Sequence, residues 1–143
     1  MVMKKYITTS YMQTQKMGES FARDVLKLPQ RKAAVVLAMS GNLGGGKTTF
    51  LQGFAKGLGI KEKILSPTFV IMKRFNNFYH IDCYRIKNEK DILALGLKKI
   101  ISNPKNIVAI EWSEKIKKVL PKNTIKIDFK FIDKNKRAID MQM

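Results

Sequence analysis

A glycine-rich segment is the strongest constraint on what this chain can fold into. Residues 41–48 read GNLGGGKT, which fits the pattern of a glycine, four residues, a second glycine, a lysine and a serine or threonine. Glycines in such a loop let successive backbone N–H groups surround phosphate oxygens, because no Cβ obstructs their approach. The pattern predicts that Lys47 binds the outer phosphates of a nucleotide and that the Thr48 hydroxyl ligates Mg²⁺.

The sequence on either side of the loop has the strand and the helix that the pattern requires. Residues 33–39 form a short apolar run, which is typical of a strand buried on both faces. After the loop, apolar residues recur at helical spacing from residue 47 to residue 58, and Gly57 and Gly59 mark the end of that helix. We therefore predict a strand, a phosphate-binding loop and a helix in succession.

The remaining sequence predicts further strands and helices, with hairpins added. We expect an edge strand at residues 4–9, a helix capped by Ser10 or Thr14 and ending near residue 28, a hairpin of residues 69–75 and 78–82, a helix at residues 89–97, a strand at residues 106–111, and a hairpin of residues 124–132 and 136–141. Apolar strands with helical crossovers predict a parallel core, whereas hairpins predict antiparallel additions. The expected fold is one α/β domain over residues 1–143, a three-layer sandwich of the P-loop NTPase kind.

The composition is that of a globular and strongly basic chain. Of the 143 residues 45% are hydrophobic, and the net charge is +17. Such a charge suits nucleic acid or an acidic protein as a partner. Lysine far outnumbers arginine and is spread along the chain, which favours a solvated surface for most of these side chains.

The sequence also bears on the compartment. No apolar stretch approaches the roughly 20 residues of a membrane helix, so we expect no membrane span. The first residues lack the apolar centre of a secretory signal. The single cysteine, Cys83, cannot form an internal disulfide. We therefore expect a cytosolic protein.

Two acidic residues follow apolar strands and are candidates for completing a nucleotide site. Glu111 closes the strand at residues 106–111, as in a Walker B arrangement, and we predict that it holds Mg²⁺ directly or through water. Asp82 closes the strand at residues 78–82 and is either a second metal contact or the residue that orients the attacking water. Thr68, in the triplet SPT, is a weaker candidate for contact with the γ-phosphate or Mg²⁺.

Other side chains carry less functional signal. Trp112, directly after Glu111, either packs in the core or walls the nucleotide pocket. His80 has no cysteine or acid at metal-ligand spacing, so we interpret it, like Cys83, as a packing residue. Neither a Cys–His nucleophile pair nor a zinc cluster can be assembled from the sequence.

Beyond the loop, an ordered set of motifs resembles the TsaE family, formerly called YjeE. The motifs are SPTF at residues 66–69, YHIDCYR at 79–85, LGL at 95–97, EWSEK at 111–115 and LP at 120–121. Together with the loop they span nearly the whole chain. The loop alone is generic, whereas SPTF, HxDxYR and EW in this order are specific. The family comprises small bacterial ATPases needed to make threonylcarbamoyladenosine in tRNA.

The resemblance implies a site for ATP and Mg²⁺. Thr48 and Glu111 hold the metal, to which Asp82 is a further candidate ligand, and Asp82 and Thr68 serve hydrolysis or switching. Thr14 and Arg137 lie by the adenine. The phosphates are bound by the loop residues Gly41, Asn42, Leu43, Gly44, Gly45, Gly46, Lys47, Thr48 and Thr49.

The resemblance also implies partners. In the family, TsaD and TsaB carry out transfer of the threonylcarbamoyl group, and the ATPase resets or activates that assembly. Hydrolysis is expected to be slow until the partner completes the site, as switch NTPases often require.

Two other functions stay open from the residues alone. Small-molecule kinases use the same loop but close an arginine-bearing lid over the phosphates, for which only Arg74 and Arg85 are near candidates. A basic nucleic-acid-binding module would use the +17 charge, and weak contact with tRNA could coexist with ATPase activity. A GTPase is not indicated, because the sequence has neither an Asn-Lys-x-Asp motif nor an Asp-x-x-Gly motif.

Overall fold

A seven-stranded mixed sheet organises the chain. The computed structural model describes residues 3–29, 31–41, 46–65 and 71–143. The strands are β1 (Met3–Thr8), β2 (Val35–Gly41), β3 (Met72–Phe75), β4 (Phe78–Asp82), β5 (Ile107–Glu111), β6 (Ile125–Phe131) and β7 (Arg137–Gln142). The helices are α1 (Tyr11–Leu26), α2 (Lys47–Gly57), α3 (Glu89–Leu93), α4 (Leu97–Ser102) and a 3₁₀ helix (Ser113–Val119).

The sheet has a parallel centre and antiparallel edges. Its strand order is β1-β7-β6-β2-β5-β4-β3. The strand β2 pairs in parallel with both β5 and β6, and β4 pairs in parallel with β5. The pairs β3–β4, β6–β7 and β1–β7 are antiparallel. This arrangement confirms the predicted α/β fold, and β1 is the edge strand that the alternation at residues 4–9 indicated.

Side chains on the two faces of the sheet form separate cores, which makes the molecule three-layered. Helices α1 and α2 cover one face. Phe50 and Phe54 of α2 pack there against Phe129 and Phe78 of the sheet, respectively. On the other face, α3, α4 and the 3₁₀ helix pack against alternate residues of β2, β4 and β5, such as Ile110. Because all of these residues are buried, the central strands are apolar on both sides, as the run at residues 33–39 predicts.

Helices α1 and α2 lie in close backbone contact, which glycines permit. A Cβ on Gly53 would lie 1.8 Å from the carbonyl oxygen of Gln15, and one on Gly18 would lie 2.1 Å from the carbonyl oxygen of Phe50. Any larger residue at these positions would push the helices apart. The position of α2, which begins at Lys47, is therefore fixed by α1.

One predicted helix cap is confirmed, and several predicted boundaries differ from the structure. Ser10 caps α1 by accepting from the N–H of Gln13, and the helix ends at Leu26, close to the predicted end near residue 28. The helix predicted at residues 89–97 ends at Leu93, and a second short helix, α4, begins at Leu97 after Gly96, which adopts φ 85°. The strand predicted at residues 33–39 begins at Val35 and runs to Gly41, since β6 pairs with it as far as Phe129.

One predicted strand extends beyond what the structure describes. Of the predicted strand at residues 69–75, residues 71–75 are described, and β3 occupies Met72–Phe75. In the described ranges, no helix is both long enough and apolar enough to cross a membrane.

Candidate nucleotide-binding site

Three parallel strands, β2, β4 and β5, have their carboxyl ends side by side at one end of the sheet, and several predicted site residues lie there. In the strand register, Glu111 at the end of β5 lies beside Asp82 at the end of β4 and beside Met39 of β2. Helix α2 begins with Lys47, a few residues after β2 ends at Gly41. In open α/β sheets, ligands bind in the crevice outside these carboxyl ends.

The side chain of Lys47 is buried, and two of its contacts are with residues that the structure describes. Its ammonium Nζ donates to the carbonyl oxygen of Gly41 at 2.8 Å and lies 4.4 Å from the centroid of the Trp112 ring. No ion pair within 4.0 Å joins Lys47 to Asp82 or Glu111. The ammonium is therefore held at the edge of the sheet by neutral groups, and Trp112 walls this part of the site.

Two glycines of the predicted loop have backbone angles that disfavour other residues. Gly41 has φ 127°, and a Cβ there would lie 2.1 Å from the carbonyl oxygen of Phe129. Gly46 has φ 98° and is the N-cap of α2 without a side-chain cap, so N–H groups of the first turn have no side-chain acceptor at that position. Thr48 and Thr49 follow in this turn and are partly buried. The loop residues Asn42, Leu43, Gly44 and Gly45 lie outside the described residues.

Glu111 is buried and is bonded to a histidine. Its carboxylate oxygen Oε2 lies 2.6 Å from Nε2 of His80, and both side chains are shielded from solvent. His80 is thus not only a packing residue, as the sequence suggested, but the hydrogen-bond partner of a predicted metal ligand. The spacing His-x-Asp on one strand was a usable signal, because alternate residues of a strand share a face and His80 and Asp82 therefore lie on the side of α2.

Asp82 lies half-buried among charged neighbours. Burial raises the pKa of its carboxyl group above the ordinary value, and the charge of Glu111 raises it further. A hydrogen bond from the backbone N–H of Tyr84 at 2.9 Å and the electrostatic influence of His80 and Lys47 lower this pKa. The residues that affect this pKa show that the two acids, His80 and Lys47 form one electrostatic cluster.

Thr14 and Arg137 lie beside the start of α2. A Cβ on Gly46 would lie 3.5 Å from Cγ2 of Thr14 and 3.7 Å from Cγ of Arg137. Thr14 is buried on α1 and its hydroxyl lies 2.7 Å from that of Thr8. The guanidinium of Arg137 lies 4.7 Å from the centroid of the Phe131 ring. The structure thus brings both residues to the loop, on the side of β7.

Aromatic and basic side chains continue the site towards the surface. Trp112 has φ 57°, which is uncommon for a non-glycine residue, and its ring packs on that of Tyr84 at 5.0 Å between centroids. The ammonium of Lys115 donates to the carbonyl oxygen of Tyr84 and lies 5.4 Å from its ring centroid. Tyr84 is more than half exposed, so the side chains of Trp112 and Tyr84 extend in sequence from the buried Lys47 to the protein surface.

The oxygen donors at the carboxyl ends of these strands are suited to a magnesium ion that a bound nucleotide would also help to hold. The described residues contain no group of three or more histidine, cysteine, aspartate or glutamate side chains that could hold a metal. Mg²⁺ usually takes one or two carboxylates together with phosphate oxygens and waters, and prefers hard oxygen donors such as Glu111, Asp82 and Thr48. Thr68, the remaining predicted residue, lies outside the described ranges.

Comparison with known proteins identifies the family. A family model described as threonylcarbamoyl adenosine biosynthesis protein TsaE matches residues 8–139. The chain belongs to the TsaE family. This finding confirms the family that the order of the motifs indicated.

Individual TsaE proteins agree with this assignment. The TsaE of Haemophilus influenzae is 34% identical, covering 81% of this chain and 75% of its own length. The TsaE of Bacillus subtilis is 38% identical, covering 76% and 69%. The TsaE of Rickettsia bellii is 33% identical, covering 99% and 96%. The crystal structure of YdiB from Bacillus subtilis superposes with a TM-score of 0.75 at 30% identity, covering 98% of this chain and 84% of that one.

Proposed function

We propose that this TsaE-family chain is a Mg²⁺-dependent ATPase that supports the formation of threonylcarbamoyladenosine in tRNA by acting on a complex of TsaD and TsaB. The observation that carries the proposal is the convergence of Lys47, Asp82 and Glu111 at the carboxyl edge of the sheet. An ammonium and two carboxylates beside a helix N-terminus supply the charges that phosphoryl transfer requires. The role in tRNA modification is supported by the family match.

The loop and Lys47 are the groups expected to bind the phosphates. When a nucleotide binds, its phosphate oxygens are better acceptors for the Lys47 ammonium than the neutral carbonyl of Gly41, because they are charged. Glycine at positions 41 and 46 lets the chain enter and leave the loop with positive φ. The N-terminus of α2 adds uncapped N–H groups and the positive end of the helix dipole.

The nucleoside is expected on the side of Thr14 and Arg137. Both residues approach Gly46 from α1 and β7, away from the acids at the ends of β4 and β5. The guanidinium of Arg137 is held over Phe131, so a planar cation and a ring are available for contact with a base.

The two acids take different roles in the proposed reaction. Glu111 and the Thr48 hydroxyl would hold Mg²⁺, which neutralises charge on the phosphates when it is bound. Asp82 would accept a proton from the attacking water, because burial moves its pKa towards neutrality and so makes its carboxylate a stronger base. Thr68 would contact the γ-phosphate as a switch residue does.

Phosphate release from ATP tests this proposal. It is measured with and without Mg²⁺, for the chain alone and after addition of the TsaD–TsaB complex. We expect release that requires Mg²⁺, rises with the complex and is lost in Glu111→Gln. The matched control is Glu114→Gln, the same change at an exposed position three residues further on.

Two results would contradict the proposal. One is transfer of label from γ-labelled ATP to a small metabolite in place of release as phosphate, which would favour a kinase. The other is unchanged modification of tRNA by TsaD and TsaB when the chain is replaced by its Lys47→Ala variant.

A further inference from the structure

We propose that His80 is a positioning residue that fixes the carboxylate of Glu111 by donating a hydrogen bond from Nε2 to Oε2. The inference rests on the proposed function, because it concerns the acid that would hold Mg²⁺. The contact is short, 2.6 Å, and neither side chain is more than 4% exposed. Hydrogen bonds to a carboxylate in such surroundings are stronger than those between neutral groups.

Packing alone does not account for a histidine at this position. The ring is fully buried, and its second nitrogen, Nδ1, has no hydrogen-bond partner among the described residues. A buried polar atom without a partner is destabilising, so an apolar side chain of similar size would fill the same space at lower cost. The bond to Glu111 is the interaction that an apolar side chain could not supply.

The strand register explains how the ring reaches Glu111. His80 lies beside Ala109 of β5, and Asp82 lies beside Glu111. Alternate residues point to the same face, so His80, Ala109 and Glu111 share the face covered by α2. Because Ala109 has only a methyl group, the imidazole can lean along the sheet to the carboxylate.

The charges nearby show what the bond prevents. Glu111 is one of the charges that act on Asp82, and Lys47 is another. A mobile Glu111 carboxylate could turn to the Lys47 ammonium and compete with phosphates for it. With Oε2 bonded to His80, we expect Oε1 to be the oxygen presented to a metal. Residues that orient metal-ligating side chains in this way typically affect activity or metal affinity by about 10–100-fold.

Nitrogen NMR of the metal-free protein tests the bond directly. His80 is the only histidine in the chain, so ¹⁵N-histidine labelling of untagged protein gives one imidazole to assign. We expect a protonated Nε2 whose proton resonance lies downfield, and we expect it to move upfield in Glu111→Gln, where the acceptor is neutral. An Nε2 without a proton, or a spectrum that Glu111→Gln leaves unchanged, would overturn the proposal.

Amide variants separate positioning from packing. The side-chain nitrogen of His80→Gln reaches about as far as Nε2, whereas that of His80→Asn reaches only about as far as Nδ1. With the TsaD–TsaB complex present, we expect kcat for ATP to fall about 10-fold or more in His80→Leu and in His80→Asn, with little change in KM, and to recover substantially in His80→Gln. Losses that are equal in all three variants, or that follow their melting temperatures, would show a packing role only.

The failure of this inference is distinguishable from failure of the proposed function. If wild-type protein releases no phosphate with its partners, the ATPase proposal fails, whereas the NMR result still decides whether His80 donates to Glu111. If wild-type protein is active and Nε2 carries no proton, only the positioning role is lost.

Discussion

The ammonium of Lys47 lies 4.4 Å from the centroid of the Trp112 ring, in a chain with a single tryptophan. The contact joins the first residue of α2 to the residue that follows β5. A cation over an indole ring is attracted by the negative face of its π-system. The proposed nucleotide site and the only tryptophan of the chain are therefore in direct contact.

Nucleotide binding is expected to change the emission of Trp112, because phosphates draw the ammonium away from the ring. Lys47→Met should raise the Kd for ATP at least about 10-fold, since hydrogen bonds to charged groups contribute about 1.5–3 kcal/mol. Titration of ATP against tryptophan fluorescence measures both effects. Lys56→Met, which removes an exposed cation from the last turn of α2, is the control and should leave the affinity within about twofold. Equal affinities of wild-type protein and Lys47→Met would disprove the phosphate role.

The Asp82→Asn variant should unfold at a higher temperature than wild-type protein at neutral pH. Burial and, to a smaller extent, the charge of Glu111 raise the pKa of Asp82 above its ordinary value of 3.8. The folded state thus holds the proton more tightly than the unfolded state, and stability falls as the pH rises through the folded pKa. Asparagine removes this charge and keeps an oxygen for the Tyr84 N–H.

Melting temperatures of nucleotide-free wild-type and Asp82→Asn protein, measured at neutral pH and below pH 3.8, check the direction of this change in stability. The gain should be present at neutral pH and absent in acid, where the aspartate is protonated in both states. Asp133→Asn is a control for which we expect the opposite change. Hydrogen bonds from the backbone N–H groups of Asn135 and Lys136 lower the pKa of Asp133, so removal of the Asp133 carboxylate should lower stability at neutral pH. A lower melting temperature for Asp82→Asn at neutral pH would contradict the argument.

Local patterns in the sequence predicted those parts of the site that depend on neighbouring residues. Glycines, the lysine and the apolar run of β2 lie within one stretch, so β2 and α2, on either side of the predicted loop, could be identified without knowledge of the fold. Asp82 and Glu111 were predicted because an acid that closes an apolar strand stands out in the pattern. Their meeting followed from the parallel sheet, whose carboxyl ends share an edge.

What the sequence did not predict depends on long-range register and on backbone angles. The bond from His80 to Glu111 spans 31 residues and exists because β4 and β5 pair in one register. The division of residues 89–102 into α3 and α4 results from the positive φ of Gly96, which helical spacing does not reveal. The nearness of Thr14 and Arg137 to Gly46 was not predicted, because it requires α1 and β7 to meet at this glycine, and the family resemblance implied only that both residues lie by the adenine.

The Gly53→Ala variant should be less stable than wild-type protein by about 1–3 kcal/mol, the usual effect of overpacking. Alanine is the better helix former, so propensity alone predicts a gain. The added Cβ would lie 1.8 Å from the carbonyl oxygen of Gln15, however, and the two helices must separate. Urea unfolding gives the change, and Lys56→Ala, at an exposed position of α2, should lie within about 0.5 kcal/mol of wild type. A stabilising effect of Gly53→Ala would show that the helices move apart freely.

Cys83 should resist thiol reagents in the native protein. Its side chain is fully buried, and burial, together with the charge of Asp82, raises the pKa of the thiol to about 12. Because the thiolate is the reactive form, we expect Ellman's reagent to label native protein at least about a hundredfold more slowly than guanidinium-unfolded protein. Labelling should be limited by opening of the structure and should therefore slow when ATP and Mg²⁺ stabilise the fold.

Ser102→Cys supplies an exposed thiol in the same chain as the control, which should react in one fast phase while Cys83 stays slow. Two fast phases in that variant would show that β4 opens readily at its end, which the proposed site could not tolerate at Asp82.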